Sequence, residues 1–90
     1  MLEFGLIIMS YFVYILECSD GTFYTGYTTD LKRRLGEHNS SDLGAKYTRG
    51  RRPVILKYSK DFETLSETLK YENYLKTLSR EEKKTLVYKS

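Results

Sequence analysis

The sequence predicts an α+β domain. Two strand-forming runs meet at a tight turn near the start, a third follows past the middle, and helical periodicity fills the stretches between and after them. Ninety residues suffice for one domain and not for two. A chain of this length buries only roughly 60–65% of its unfolded surface, so its core must be thin. With 40% hydrophobic and 14% aromatic residues its composition is nevertheless globular, which excludes a disordered chain.

Residues 11–18 (Y-F-V-Y-I-L-E-C) are apolar or aromatic on both faces, the pattern of a strand covered from both sides. Ser19-Asp20-Gly21 is a turn signal, with Gly21 suited to a positive φ. Residues 22–27 (T-F-Y-T-G-Y) have strong β propensity, so the two runs form a hairpin. Its register decides the chemistry. A two-residue Asp20-Gly21 loop pairs Cys18 with Phe23 and sets Tyr14 and Tyr24 on opposite faces. A three-residue loop pairs Leu16 with Tyr24 and puts both tyrosines on one face, because a slip of one residue inverts every side chain.

Thr29 or Asp30 can cap the next helix, over 31–39, with Gly36 weakening it. At 100° per residue, Leu31, Leu35 and His38 share a stripe with Arg34 at its edge, while Lys32 and Arg33 point elsewhere. An inward His38 reads either as a satisfied core residue or as part of a site. An inward Arg34 in so thin a domain needs a partner, since burying it alone is unfavourable. Residues 40–53 (S-S-D-L-G-A-K-Y-T-R-G-R-R-P) show no period and read as a loop. Residues 54–59 read as a third strand, and 62–78 as a helix capped by Asp61 with Leu65, Leu69 and Leu75 on its apolar face. Glu72 falls inside that face, where a carboxylate needs a cation, either Lys76 at i+4 or a metal. Ser79-Arg80-Glu81-Glu82 resembles a helix start with a capping box, leading to a short amphipathic tail around Leu86-Val87-Tyr88.

The ends of the chain say less. The first nine residues are apolar, but too short to span a bilayer, and they carry Glu3 in place of a positive leading segment. Neither a signal peptide nor a membrane anchor is expected. Residues 1–10 read as an N-terminal extension or added edge strand, and 11–88 as the domain. Cys18 is the single cysteine, so no disulfide partner exists within the chain. It reads as a small buried apolar residue, and a reducing cytoplasm fits.

Charge is unevenly placed. The net charge is only +3, yet residues 32–60 hold nine Lys or Arg against two acids, a local +7 that leaves −4 for the remainder. A directed positive field of this kind suits a polyanion, and nucleic acid is the obvious one. Lys46, Tyr47, Arg49, Arg51 and Arg52 form the mixture of basic and aromatic side chains that binds phosphate backbones and exposed bases, unless they are only a solvated basic loop.

Hydrolysis of a phosphodiester needs an activated water, compensation for developing charge and help for the leaving oxygen. Glu72 can hold one divalent cation, Mg²⁺ or Mn²⁺, with few protein ligands and several waters. Arg34 can grip a non-bridging oxygen. A tyrosine can take the water's proton if nearby positive charge lowers its pKa from about 10. No Cys/His metal cluster, phosphate-binding glycine loop or serine triad competes.

These residues resemble the GIY-YIG nuclease superfamily, found in homing endonucleases, some restriction enzymes and the bacterial excision-repair incision subunit. The chain looks most like the small stand-alone bacterial members, over about residues 11–88. Phe12-Val13-Tyr14 corresponds to the first family element and Tyr24-Thr25-Gly26 to the second. The segment D-L-K-R-R-L-G-E-H-N puts the family arginine on Arg34 and its His/Tyr position on His38, and K-Y-E-N-Y-L-K puts the metal-binding glutamate on Glu72. The stretch G-A-K-Y-T-R-G-R-R-P also resembles that subgroup. The chain departs from the family at Phe12, Val13 and Thr25, at Tyr27-Thr28 where some relatives carry a lysine, and in lacking a late asparagine.

The resemblance implies a three-stranded antiparallel sheet flanked by helices, and metal-dependent DNA cleavage by direct attack of water. It implies Tyr14 as the favoured base, Tyr24 positioning water or phosphate, and a role in DNA repair or recombination. Branched or single-stranded DNA is the expected partner, with RNA left open. The competing reading is a nucleic-acid-binding module on the same fold with weak or no cleavage. A purely structural role leaves the Tyr, Arg and Glu positions unexplained.

Overall fold

A computed structural model describes residues 10–89. Strand β1 (Tyr11–Glu17) is followed by β2 (Phe23–Thr28), α1 (Leu31–Ser40), a four-residue helix α2 (Lys46–Arg49), β3 (Ile55–Phe62), α3 (Leu65–Thr77) and α4 (Arg80–Lys89). The sheet is antiparallel with strand order β2-β1-β3, so the most apolar of the three strands is the central one. The added edge strand suggested for residues 1–10 lies, Ser10 apart, outside the described residues. No helix among the described residues is long and apolar enough to cross a membrane.

The hairpin takes the three-residue loop. Leu16 pairs with Tyr24 and Tyr14 with Gly26, the Cys18 amide donates to the Thr22 carbonyl at 2.8 Å, and Gly21 adopts φ +83°. That glycine supplies the left-handed residue such a loop requires. Tyr14, Leu16, Cys18 and Val54 therefore share one face, packed with Leu31 and Leu35 of α1. Val13 and Ile15 face the opposite way, against Leu75 of α3 and Val87 of α4. Leu75 is fully buried, and truncating it to alanine is expected to remove about 2–5 kcal/mol.

Strand β3 runs longer than its pattern suggests and carries a bulge. Ile15 pairs with Tyr58 and Leu16 with Leu56, which leaves Lys57 as the extra residue. Residues two apart in a regular strand point the same way. The bulge lets Leu56 pack toward α1 while Tyr58 packs toward α3 and α4.

Several expected boundaries are corrected. Phe62 pairs with Tyr11 and stacks on Tyr71 at 5.3 Å, so Asp61 and Phe62 finish β3 and do not open the helix. Thr64 is the cap: its hydroxyl accepts from the Glu67 amide at 3.2 Å and donates to the Glu67 carboxylate at 2.9 Å. The buried stripe of α3 is Thr68, Glu72 and Leu75, and Leu65, expected on the apolar face, is exposed in the first turn. The 40–53 loop contains the short helix α2. The capping box opening α4 forms as expected, with the Glu82 amide on the Ser79 hydroxyl at 3.1 Å and the Ser79 amide on the Glu82 carboxylate at 2.8 Å.

Candidate active site

Tyr14 stands on the central strand, and its ring covers Gly26 across the strand pair. A Cβ on Gly26 would lie 2.6 Å from the Tyr14 hydroxyl oxygen and 3.1 Å from Cε2 of Tyr24, so the position has no room for a side chain. Behind Tyr14 lies His38, fully buried on the inner stripe of α1, with Nε2 2.8 Å from the tyrosine hydroxyl. Its other nitrogen, Nδ1, is 2.8 Å from the hydroxyl of Thr48 in α2, and that hydroxyl donates to the Ala45 carbonyl at 2.9 Å.

This chain of contacts fixes the protons. Thr48 has one hydrogen and gives it to Ala45, so it accepts from His38 Nδ1–H. Nε2 is then bare and accepts the hydrogen of Tyr14. Burial, with Arg34 adding to it, pushes His38 down to about 4, so the ring is neutral near pH 7. Burial pushes Tyr14 up to about 12, against the pull of the neighbouring Arg34.

Arg34 is half-buried and held by Nη1, which donates to the Glu37 carboxylate at 2.8 Å and to the Leu43 carbonyl at 2.6 Å. Burial works against its charge, and Glu37 and Tyr14 together more than offset this, so its pKa is raised. The Arg34 contact draws the Glu37 pKa down. The Arg34 guanidinium also lies against the Tyr14 hydroxyl, close enough for each group to bear on the other's pKa. Glu72 approaches from α3, with one oxygen 3.3 Å from Lys76 Nζ. Tyr14, Tyr24, Gly26, Arg34, Glu37 and Glu72 all line a single open cleft of about 470 Å³.

The predicted residues thus fall into two groups here. Tyr14, Tyr24, Arg34 and Glu72 meet at the cleft, whereas His38 sits behind it, bonded to Tyr14 and packed edge-on against Tyr24. Sequence reasoning missed Glu37 and Thr48. Glu37 had a signal, since it stands three and four residues after Arg34 and Arg33. Thr48 had none. It is one small polar residue in an aperiodic basic stretch.

The basic segment divides by role. Lys46 and Arg49 are exposed, and Tyr47 is exposed while stacked on Tyr24 at 5.9 Å. Arg51 lies 4.0 Å over the Tyr47 ring and pairs with Asp20 of the hairpin loop at 3.1 Å. Arg52 turns inward: its guanidinium donates to the carbonyls of His38 and Ser41, each at 2.6 Å, at the end of α1. Its place is structural, satisfying carbonyls that a helix leaves unpaired.

A family model described as the GIY-YIG catalytic domain matches residues 10–85. A UPF0213 protein of Halobacterium salinarum is 57% identical over 74 residues, covering 82% of this chain and 95% of that protein. A UPF0213 protein of Streptococcus agalactiae is 53% identical over 76 residues, covering 84% and 85%. Among solved structures, the solution NMR structure of the protein EF2693 from E. faecalis is 52% identical. It superposes with a TM-score of 0.60 over 86% of this chain and 81% of that one. The UPF0213 protein BH0048 from Bacillus halodurans, also solved by NMR, is 51% identical with a TM-score of 0.57, over 88% and 83%. The chain therefore belongs to the GIY-YIG family, a nuclease superfamily, and its relatives there are the small UPF0213 proteins.

Proposed function

We propose that the cleft hydrolyses phosphodiester bonds of DNA, using one divalent cation, Mg²⁺ or Mn²⁺, held by Glu72. The observation that carries this reading is convergence: two phenols, a guanidinium and a carboxylate from two strands and two helices open on one cavity. No three His, Cys, Asp or Glu side chains cluster among the described residues. With Glu37 engaged by Arg33 and Arg34, Glu72 is the cleft carboxylate left for a hard cation that keeps most of its waters, and not for one held in a closed protein cage. Bound there, the ion would neutralise charge developing on the phosphate oxygens.

The protein groups then divide the remaining work. Arg34, anchored through Nη1, offers its guanidinium to a non-bridging oxygen. As the water oxygen bonds to phosphorus, the bond to the leaving sugar oxygen breaks, and that oxygen takes a proton from solvent water in the open cleft. The water's proton passes to the Tyr14 oxygen while the proton of Tyr14 passes to His38 Nε2. A phenol held at about 12 is no phenolate at pH 7, and this exchange needs none, because a neutral imidazole waits 2.8 Å away. Tyr24, its ring 5.2 Å from that of His38, orients the water or the phosphate. DNA repair or recombination in the cytoplasm is the proposed setting.

The test is nicking of plasmid or branched DNA by purified protein with Mg²⁺ or Mn²⁺. Glu72→Ala and Arg34→Ala should each lose on the order of 100-fold or more in rate. Undiminished cleavage in both variants overturns the site. Salt-sensitive binding without cleavage in the unmodified protein would favour a binding module instead.

A further inference from the structure

We infer that a second anion subsite, built by α4 and the hairpin, lies across the Tyr24–Tyr47 ring pair from the cleft. Resting on the nucleic-acid reading above, it takes a backbone phosphate of the same strand whose reacting bond occupies the cleft. The subsite is a smaller hollow of about 220 Å³ lined by Thr22, Phe23, Tyr47, Arg80 and Lys83. Nothing in the catalytic argument uses Arg80 or Lys83.

Three observations point to a phosphate. Lys83 is half-buried, and among the described residues no carboxylate forms an ion pair with it. Its charged neighbour is Lys76, a like charge, and burial together with Lys76 lowers its pKa. Lys76 has Glu72 as its partner and Arg80 has Glu81, so Lys83 is the partly desolvated cation of the hollow that no carboxylate among the described residues pairs, and an anion completes it. Arg80 stands beside it, with Nη2 tied to the Gly21 carbonyl at 3.0 Å, Nη1 3.8 Å from the exposed Glu81 carboxylate and its guanidinium 5.9 Å over the Phe23 ring. Those contacts hold the group in place while leaving its side chain 56% exposed.

Continuity with the cleft then selects the kind of anion. Tyr24 lines the cleft, Tyr47 lines the hollow, and their rings are 5.9 Å apart. Arg51, stacked on Tyr47, adds a third positive group along this line. A chain of regularly spaced anions matches such a path, where a single acidic side chain would meet one end of it.

The experiment measures binding of a single-stranded DNA oligonucleotide by fluorescence anisotropy in EDTA, over a range of salt concentrations, so that no turnover enters. Lys83→Met keeps the length of the side chain and removes its charge, and Lys84→Met on the neighbouring face is the control. The Lys83 variant should lower the slope of log K against log salt by about 0.7, the loss of one phosphate contact on a single strand, and the Lys84 variant should not. In unmodified protein, the oligonucleotide should shift the backbone amide resonances of Thr22, Phe23 and Lys83. An unchanged slope in Lys83→Met, an equal fall in both variants, or amide shifts at the cleft alone overturns the subsite while leaving the cleft's function standing. No binding by the unmodified protein overturns both.

Discussion

The ring of Tyr14 occupies the space that a side chain on Gly26 would need. The two residues are paired across β1 and β2, and a Cβ on Gly26 would sit 2.6 Å from the tyrosine hydroxyl oxygen. Tyr14 cannot retreat cheaply, because it is 2% exposed and its hydroxyl is bound to His38 at 2.8 Å. Gly26→Ala should therefore destabilise the fold by about 1–3 kcal/mol, the usual consequence of overpacking. Cleavage should fall at least as far as in Tyr14→Phe, which loses the hydroxyl outright. Urea denaturation and plasmid nicking on the same preparations check both outcomes. Full activity in Gly26→Ala would mean that Tyr14 does not need its present place.

His38 makes stability depend on pH in a defined window. Its folded-state pKa is about 4, below the ordinary value of 6.5, so the unfolded chain binds the proton more readily. The contribution is fully present above pH 6.5 and is lost as pH falls toward 4, by up to roughly 3 kcal/mol. The lowered carboxyl pKa values of Asp20 and Glu37 act further into acid. The interval from 6.5 to 4.5 therefore isolates the imidazole. Urea denaturation of the unmodified protein should lose stability there, and His38→Gln should show a flatter profile. Equal slopes in the two proteins would place the acid sensitivity elsewhere.

Thr48 is a positioning residue in this arrangement, acting on Tyr14 through His38. Thr48→Val removes the acceptor of Nδ1–H while leaving the Tyr14 hydroxyl untouched. His38 is the single histidine of the chain, so selective ¹⁵N labelling reports its tautomer without overlap. The unmodified protein should show Nδ1 protonated and Nε2 bare. The valine variant should show a mixture, with cleavage slowed on the order of tenfold, the scale on which a histidine's orienting partner matters. Thr48→Ser should restore both readings, which a purely volumetric role would not.

How much of this was legible in the sequence follows from which interactions are local. The hairpin, the capping box at Ser79 and Glu82, and the inner stripe of α1 rest on neighbours a few residues apart, and periodicity or turn chemistry reveals them. The register that brings Tyr14 and Tyr24 to one face needs a loop of three residues or another odd length, and the Cys18–Thr22 pairing selects three. The bulge at Lys57 was not visible, because it answers to packing on both faces of a sheet not yet assembled. Contacts such as Thr48 to His38 span ten residues through an aperiodic loop and leave no pattern in composition. Arg52 illustrates the opposite error. Adjacency to Arg51 and Arg49 made it look like one member of a charged surface, yet its guanidinium ends on helix carbonyls.

That distinction predicts different outcomes for two neighbouring arginines. Arg52→Ala leaves the carbonyls at the end of α1 without their donor and removes a cation from the negative end of the helix. It should destabilise the protein by roughly 1.5–3 kcal/mol, the range for hydrogen bonds to charged groups. Arg49 is exposed, so Arg49→Ala should leave the unfolding midpoint within about 0.5 kcal/mol while weakening DNA binding in a salt-dependent way. Thermal unfolding and anisotropy separate the two. Equal loss of stability in both variants would contradict the inward placement of Arg52.

Glu72 offers a readout of metal binding that does not depend on turnover. Its carboxylate is 12% exposed, and one oxygen pairs with Lys76, which is itself 52% exposed. Glu72 is the buried member of this pair, so Lys76→Met leaves its carboxylate without that partner and should destabilise the metal-free protein by about 1–3 kcal/mol. It should also free both oxygens of Glu72 and remove a competing cation, which strengthens divalent-ion binding. A ligand that binds only the folded state raises its stability by about 2.7 kcal/mol when present at 100 times its dissociation constant. Unfolding curves with increasing Mn²⁺ should therefore move to higher temperature in the unmodified protein, move at lower Mn²⁺ in Lys76→Met, and stay fixed in Glu72→Gln. Glutamine keeps the shape and one oxygen but loses the charge that a hard cation needs. A shift in Glu72→Gln as large as in the unmodified protein would put the ion somewhere other than this carboxylate, whatever the cleavage assay showed.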